Sequence, residues 1–438
     1  MQISELYSLY QEHPIVVTDS RECVGNSMFF ALKGANFDGN AYAAAALEKG
    51  AAIAVVDDAG CVPKGDGRYV LVDDVLGALQ DLAAFHRQQL DIPVLQITGT
   101  NGKTTTKELV SAVLSKKFNT LYTRGNLNNH IGVPLTLLRI RPEHQIAVIE
   151  TGANHPGEIA FLCRMVQADC GLVTNVGRAH LEGFGSFEGV KRTKGELYDD
   201  LAGRHKFCFL NMMDLDLMDM AIERNIQQKP YVQGVALTEG KSGNSGTFNP
   251  FLKVRWLTPY GTAADVQTRL IGDYNLPNVL AAITVGLHFG VDLDQINEAL
   301  EQYEPNNNRS EYRRTENNEL IVDAYNANAS SMAVALDNFQ AIEHPCKMVI
   351  LGEMREMGAE SVSEHQKVAD RLAKMNLTET WLVGSEFGRC DTSAIGNVTL
   401  FADVDAVRKR LAVSGVSNRL ILIKGSNGTR LYQLPDLL

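Results

Sequence analysis

Residues 96–107 read Gln-Ile-Thr-Gly-Thr-Asn-Gly-Lys-Thr-Thr-Thr-Lys. The apolar run at 93–97 predicts a buried strand, Gly99, Asn101 and Gly102 a turn, and Lys103-Thr104 the opening of a helix that runs to about residue 117. A strand–loop–helix junction aims free backbone N–H groups and the positive end of a helix at one point, which suits a triphosphate. There Lys103 would neutralise the β- and γ-phosphates and the Thr104 hydroxyl would reach Mg²⁺. Only Thr100 and Asn101 separate Gly99 from Gly102, where the general phosphate-binding loop has four residues. That shortening argues against a GTPase switch or a motor loop.

Outward from this stretch the pattern alternates. Strands are expected at 146–150 and 170–174, helices at 156–165 and 277–290, the mark of a parallel sheet with helices on both faces. Residues 234–270 read as β-rich and irregular. Near 305–309 the composition shifts to Asn306-Asn307-Asn308. Beyond it, strands at 320–323, 348–351, 380–383 and 420–424 interleave with helices at 331–342, 364–373 and 403–412, a second α/β unit. Before residue 85, short strands at 29–32, 52–56 and 69–72 are punctuated by Gly25-Asn26, Gly34 and Asp38-Gly39-Asn40, and a helix at 75–90 leads into the next unit. A length of 438 residues agrees with three domains at roughly 150 residues each. The expectation is an α/β chain divided at 1–85, 86–304 and 305–438, with a doubly wound parallel sheet in the middle.

A net charge of −11 argues against a nucleic-acid partner. The seven cysteines are scattered, with no CxxC spacing, which fits reduced thiols in a cytoplasmic protein. Met-Gln-Ile-Ser-Glu-Leu at the start lacks the basic and apolar regions of a signal peptide. No run approaches the roughly 20 apolar residues of a membrane span, so no membrane insertion is expected.

Further constellations fall at predicted strand ends, where open parallel sheets bind ligands. Glu150 ends one strand and is placed to bind Mg²⁺. Thr174-Asn175-Val176-Gly177-Arg178-Ala179-His180 follows another; His180 is either a metal ligand or a structural histidine. Lys191-Arg192-Thr193-Lys194-Gly195-Glu196 reads as a solvated basic helix start, and nothing local separates Lys194 from Lys191. In Asn275-Leu276-Pro277-Asn278 an asparagine either caps a helix or bonds a base edge. Asp323-Ala324-Tyr325-Asn326-Ala327-Asn328 and Lys424-Gly425-Ser426 close strands of the last unit.

Ile97-Thr98-Gly99-Thr100-Asn101-Gly102-Lys103-Thr104-Thr105 resembles the ATP loop of the Mur ligases and folylpolyglutamate synthases. Asp19-Ser20-Arg21, Gly125-Asn126-Leu127-Asn128-Asn129, Glu150-Thr151-Gly152-Ala153-Asn154, residues 179–186, 323–328 and 351–354, and Lys424-Gly425-Ser426 extend the likeness to the Mur ligases along the whole chain. The resemblance implies an N-terminal UDP-sugar domain, a central ATPase domain and a C-terminal Rossmann-like domain. Within the family it points to the enzyme that adds D-alanyl-D-alanine to UDP-MurNAc-tripeptide through an acyl phosphate. It implies Lys103 on the transferred phosphoryl group, with Gly99, Thr100, Asn101, Gly102, Thr104 and Thr105 around the nucleotide. Thr104 and Glu150 would hold one Mg²⁺ and His180 a second. Lys194 matches a lysine that the family carbamylates, Asn278 the adenine contact, and Arg309, Asp323 and Tyr325 the nucleotide side of the last domain. Ser20 and Arg21 match the uridine segment, Asn128 and Asn129 the UDP-sugar path, and Asn326 and Asn328 the cleft. A monomer is expected.

Tyr274, Asn40, Asn308, Val322 and Ala329 depart from residues usual in the family, respectively His, His, Gly, Asp and Pro. The enzyme that adds a diamino acid remains an alternative, but its Asp-Asn-Pro-Arg signature is not found. Folylpolyglutamate synthases lack the separate first unit. A silent nucleotide-binding paralogue would predict loss of Lys103, Glu150, His180 or Lys194, and all four stand.

Overall fold

The strand before the loop spans Val94–Thr98, and all five of its residues are buried. It sits inside a six-stranded sheet ordered Gln227–Pro230, Phe207–Leu210, Cys170–Val173, Val94–Thr98, Ile146–Glu150 and Thr120–Tyr122. Every pairing in it is parallel. The computed structural model describes residues 1–179, 181–237, 250–305 and 308–438.

Successive side chains of a strand point to opposite faces. Ile146 and Val148 therefore pack with the helices Lys103–Leu114 and Leu276–His288, through Val110, Val113, Val279 and Ile283. Ala147 and Ile149 pack with Glu158–Val166 and Phe187–Gly203 on the other face. Burial on both faces is why these strands read as continuous apolar runs. The chain leaves Val94–Thr98 first toward Ile146–Glu150 and Thr120–Tyr122, then crosses to Cys170–Val173 and beyond. That reversal opens a crevice at the carboxyl ends of the strands, over the loop.

The β-rich stretch becomes an antiparallel sheet of Gly234–Leu237, Phe251–Leu257 and Ala263–Ile271. Its buried Leu252, Val254, Trp256, Val266 and Leu270 join the core that includes Leu276–His288.

In the last unit the sheet order is Glu311–Arg314, Glu319–Asp323, Leu420–Lys424, Lys347–Gly352, Glu379–Val383 and Val398–Phe401. Only the first pair is antiparallel. Glu-Tyr-Arg-Arg carries no apolar run, so this edge strand left no signal in the sequence.

The first unit is a parallel sheet of Ile15–Val17, Ser27–Phe30, Ala51–Val56 and Tyr69–Leu71, with helices Ile3–Glu12 and Val75–Gln88. Ile3–Glu12 was not anticipated, although Gln2 and Glu5 form a capping box and Leu6 and Tyr10 share one buried face. This unit is tied to the middle one. Tyr10 donates to the Leu138 carbonyl at 2.8 Å, and Gln80 to the His130 carbonyl at 2.9 Å.

Residues 191–196 do not start a solvated helix: Ser186 caps it, accepting from Gly189 N, and they lie in the middle of Phe187–Gly203. Val190, Thr193, Lys194, Leu197, Tyr198 and Leu201 recur at helical spacing and form its buried face.

Candidate active site

The loop needs its glycines. Gly99 (φ +140°) and Gly102 (φ +77°) lie in the left-handed region. A Cβ on the first would stand 2.0 Å from Thr174 Oγ1, and on the second 2.8 Å from Asn278 Oδ1. Lys103 folds back over the turn, its Nζ donating to the carbonyls of Gly99 and Thr100 at 2.8 Å each. Burial pushes this ammonium down to about 8, with Glu150 opposing the shift and Arg309 adding to it.

Glu150 is fully buried at its strand end. Its Oε1 accepts from Thr104 Oγ1 at 3.2 Å and from Asn128 Nδ2 at 2.8 Å. Its Oε2 is buried with no hydrogen-bond partner among the described residues. An orphaned carboxylate oxygen beside a hydroxyl is a hard-oxygen donor set, so Thr104 and Glu150 fit one Mg²⁺.

Lys194 lies deep in its helix, 2% exposed. Its Nζ makes a long hydrogen bond of 3.4 Å to the Ala153 carbonyl and lies 5.3 Å from the Phe184 ring centroid. Burial, with Lys103 repelling it, pushes its ammonium down to about 7. His180 lies outside the described residues.

The last unit completes the wall. Asn328 caps the helix Ala329–Ala341, accepting from Ser331 N at 2.8 Å, and donates from Nδ2 to Asn101 Oδ1 on the loop at 2.8 Å. Ser330 Oγ accepts from Arg178 N at 3.0 Å. The Arg309 guanidinium stacks on Tyr325, 3.7 Å from the ring centroid. Asp323 accepts from the buried Lys424 Nζ at 2.5 Å. Asn326 turns its Oδ1 back to Ala327 N at 2.9 Å. Asn308, where the family usually has Gly, takes φ +56°, a conformation that asparagine tolerates. Asn278 does not cap its helix: it accepts from Thr106 Oγ1 at 3.0 Å and donates to Asn275 Oδ1 at 2.8 Å, beneath the loop.

These groups surround one cavity of about 1140 Å³ between the middle and last units. Thr100–Thr105, Asn128, Asn129, Glu150, Asn278, Arg309, Asp323, Tyr325, Asn326 and Asn328 all line it. Gly99, Lys194, Ser20 and Arg21 do not. Lys194 sits behind the lining residue Ala153. Ser20 and Arg21 form a short turn capped by Asp19, whose carboxyl the Arg21 guanidinium holds down to about 2. The sequence marked Lys424 only as a strand-end residue where such sheets bind ligands, and it assigned no role to Gln80, His155 or Asp214, which also line the cavity, nor to Lys107 beneath it. For those four the sequence carried no local signal.

A family model described as Mur ligase middle domain matches residues 97–286. One described as Mur ligase, glutamate ligase domain matches 308–427, and one described as Mur ligase family, catalytic domain matches 14–87. The chain is 34% identical over 423 residues to the UDP-N-acetylmuramoyl-tripeptide–D-alanyl-D-alanine ligase of Escherichia coli K12, covering 96% of this chain and 92% of that one. The chain belongs to the Mur ligase family. This Mur ligase is also 30% identical over 437 residues to the enzyme of the same name from Bacillus subtilis 168, covering 96% and 92%. The crystal structure of MurF from Acinetobacter baumannii matches this Mur ligase with a TM-score of 0.84 at 29% identity, covering 100% and 98%. That of MurF from Thermotoga maritima in complex with ADP, at 23% identity, shares the fold with a TM-score of 0.80, covering 97% and 96%.

Proposed function

We propose that this Mur ligase is an ATP-dependent amide ligase that joins D-alanyl-D-alanine to UDP-MurNAc-tripeptide, giving UDP-MurNAc-pentapeptide in peptidoglycan precursor synthesis. One observation carries the reading: Lys103, Thr104 and Glu150 converge on a cavity that the last unit closes through Asn328. The names of relatives at 30% and 34% identity point the same way.

A carboxylate is a poor acyl donor, so it is first phosphorylated. An oxygen of the tripeptide's terminal carboxylate bonds to the γ-phosphorus, and ADP leaves with the electrons of the broken P–O bond. The D-alanyl-D-alanine nitrogen then bonds to the acyl carbon. The tetrahedral adduct collapses, phosphate departs, and the nitrogen loses its proton. Lys103 gives up its two loop carbonyls to follow the negative charge of the moving phosphoryl group. Mg²⁺, held by Thr104 and Glu150, would supply charge neutralisation between the two anionic reactants. Closing the last unit over the loop would keep water from the acyl phosphate.

The finer assignments belong to the same proposal. Lys194, whose ammonium is pushed down to about 7, would add CO₂ at Nζ with loss of a proton, and that carbamate with His180 would hold a second Mg²⁺. Asn278, Arg309, Asp323 and Tyr325 receive the nucleotide. Ser20 and Arg21 receive the uridine, and Asn128 and Asn129 line the sugar-peptide path. The units 1–85, 86–304 and 305–438 act as three domains of a cytoplasmic monomer. Among the described residues, no helix is long and apolar enough to cross a membrane.

The test is a ligation assay with each component left out in turn. Phosphate release is expected only when ATP, Mg²⁺, UDP-MurNAc-tripeptide and D-alanyl-D-alanine are all present. Equal turnover with a free diamino acid and the dipeptide precursor would overturn the reading in favour of the neighbouring family member.

A further inference from the structure

Lys107 is fully buried in the loop helix Lys103–Leu114, and no step above uses it. Residues three apart are neighbours on a helix face, so Thr104 and Lys107 look the same way. Both face Glu150: Thr104 Oγ1 lies 3.2 Å from Oε1, and Lys107 Nζ 4.0 Å from Oε2. The same Nζ donates to the carbonyls of Thr123 at 2.8 Å and Gly125 at 3.4 Å, and lies 3.6 Å from Glu108 Oε1.

An ammonium withdrawn from water is destabilising unless its protons and its charge find partners. Here two carbonyls take the protons, and two carboxylates balance the charge. The carbonyls begin the segment that ends in Asn128 and Asn129. That segment is fastened to Glu150 at two more points: the Glu150 N–H donates to Thr123 Oγ1 at 2.9 Å, and Asn128 Nδ2 to Glu150 Oε1 at 2.8 Å. Asn128 also accepts from the Gly152 N–H at 2.8 Å, just past the same strand end. One lysine thus joins three parts in a single frame: the helix that carries the phosphate groups, the carboxylate proposed for Mg²⁺, and the segment proposed to line the sugar path.

We infer that Lys107 is a positioning residue for the ligation: through the Thr123 and Gly125 carbonyls it sets the segment bearing Asn128 and Asn129, and through Asn128 it fixes the Glu150 carboxylate. The inference rests on the function proposed above, in that it takes the segment as part of the sugar-peptide site.

The experiment uses the intact chain with Lys107→Met, Lys107→Arg, Asn128→Ala and the double variant Lys107→Met/Asn128→Ala. Binding of UDP-MurNAc-tripeptide without nucleotide is measured by calorimetry, and the Mg²⁺ requirement and KM values by phosphate release. Lys107→Met is expected to weaken UDP-MurNAc-tripeptide binding roughly 10-fold and to raise the Mg²⁺ concentration for half-maximal rate by a similar factor, as outer partners of metal ligands do. The KM for D-alanyl-D-alanine should not move. Lys107→Arg, which keeps charge and donors, should recover part of the loss. The double variant should bind little worse than Asn128→Ala, because both changes disable one device. Unchanged binding in Lys107→Met, or fully additive losses in the double variant, overturns the inference.

Hydrogen exchange at the amides of residues 123–129 separates failures. Lys107→Met should speed exchange there whatever the substrate proves to be, and unchanged exchange sinks the inference. If the native chain binds no UDP-MurNAc-tripeptide while exchange responds as expected, the proposed function falls and the positioning role stands. Should Lys107→Met fail to fold, Lys107→Gln, which keeps one donor, carries the same expectations and the same overturning results.

Discussion

At the loop, a single side chain separates nucleotide binding from chemistry. Lys103 spends its hydrogen bonds on two carbonyls of its own loop and joins no two units, so its removal should spare the fold. Lys103→Ala is expected to lower kcat by roughly 10²- to 10³-fold, the usual loss when a fixed donor to a developing charge is removed. Phosphate release checks it, with a melting curve as the control. Lys194 raises the opposite question. Lys194→Ala should lose activity, and short-chain carboxylates such as acetate should restore part of it if a carbamate normally occupies that place. Absence of rescue in the assay would remove the carbamate from the proposal. The sequence could mark Lys103, Thr104 and Glu150, because a strand end beside a glycine turn is visible locally. It could not choose Lys194 over Lys191. The difference is burial: Lys194 is sealed in the core, whereas Lys191 pairs with Asp216 at 3.0 Å toward the surface.

Elements, more than residues, bring the site together. Val94–Thr98, Ile146–Glu150 and Cys170–Val173 are neighbours in one parallel sheet, so their carboxyl ends open on one crevice. Their apolar character made them legible. The helix Ala329–Ala341 works differently, through its cap. Asn328 and Ser331 form a capping box, and the spare Asn328 amide protons reach Asn101. Asn328→Ala should therefore have two effects. Loss of the cap should destabilise the chain by about 1 kcal/mol in urea unfolding. Loss of the bridge should raise the KM for ATP beyond what that destabilisation explains. An isosteric Asn328→Asp keeps the cap but not the donated proton, and should affect the KM alone. The edge strand Glu311–Arg314 and the helix Ile3–Glu12 escaped the sequence reading for related reasons. The first owes its form to pairing with Glu319–Asp323, and the second to docking of Tyr10 on a neighbouring unit.

At the scale of the whole molecule, two buried histidines hold backbone groups while neutral. His86, on the helix Val75–Gln88, donates from Nε2 to the carbonyl of Ile140, 54 residues further along the chain, at 3.1 Å. His365 accepts the Met354 N–H at Nε2, 2.9 Å away, and donates from Nδ1 to the Ser361 carbonyl at 2.7 Å. Burial holds both below the usual imidazole value of 6.5. A second proton on His365 would set one N–H against another. The unfolded chain takes up these protons first, so this stability is complete above about pH 6.5 and is lost as pH falls from there toward the lower folded values. Urea midpoints should drop between pH 7.5 and 5.5, and His365→Gln should flatten that slope. A slope unchanged by the substitution would remove His365 from the account.

The sequence by itself determined the α/β alternation, the phosphate loop with its shortened glycine spacing, the strand-end acids and the family. These are local facts: the period of apolar residues, the conformational freedom of glycine at Gly99 and Gly102, and the order of short motifs along the chain. Only the tertiary structure decided that Asn278 serves the loop from beneath, that Asn328 bridges two units, and that the Lys107 and Lys194 side chains are buried. The physical reason is that a side chain's burial and partners depend on segments far away in sequence. Asn101 and Asn328 are 227 residues apart, and no local pattern encodes the hydrogen bond between them.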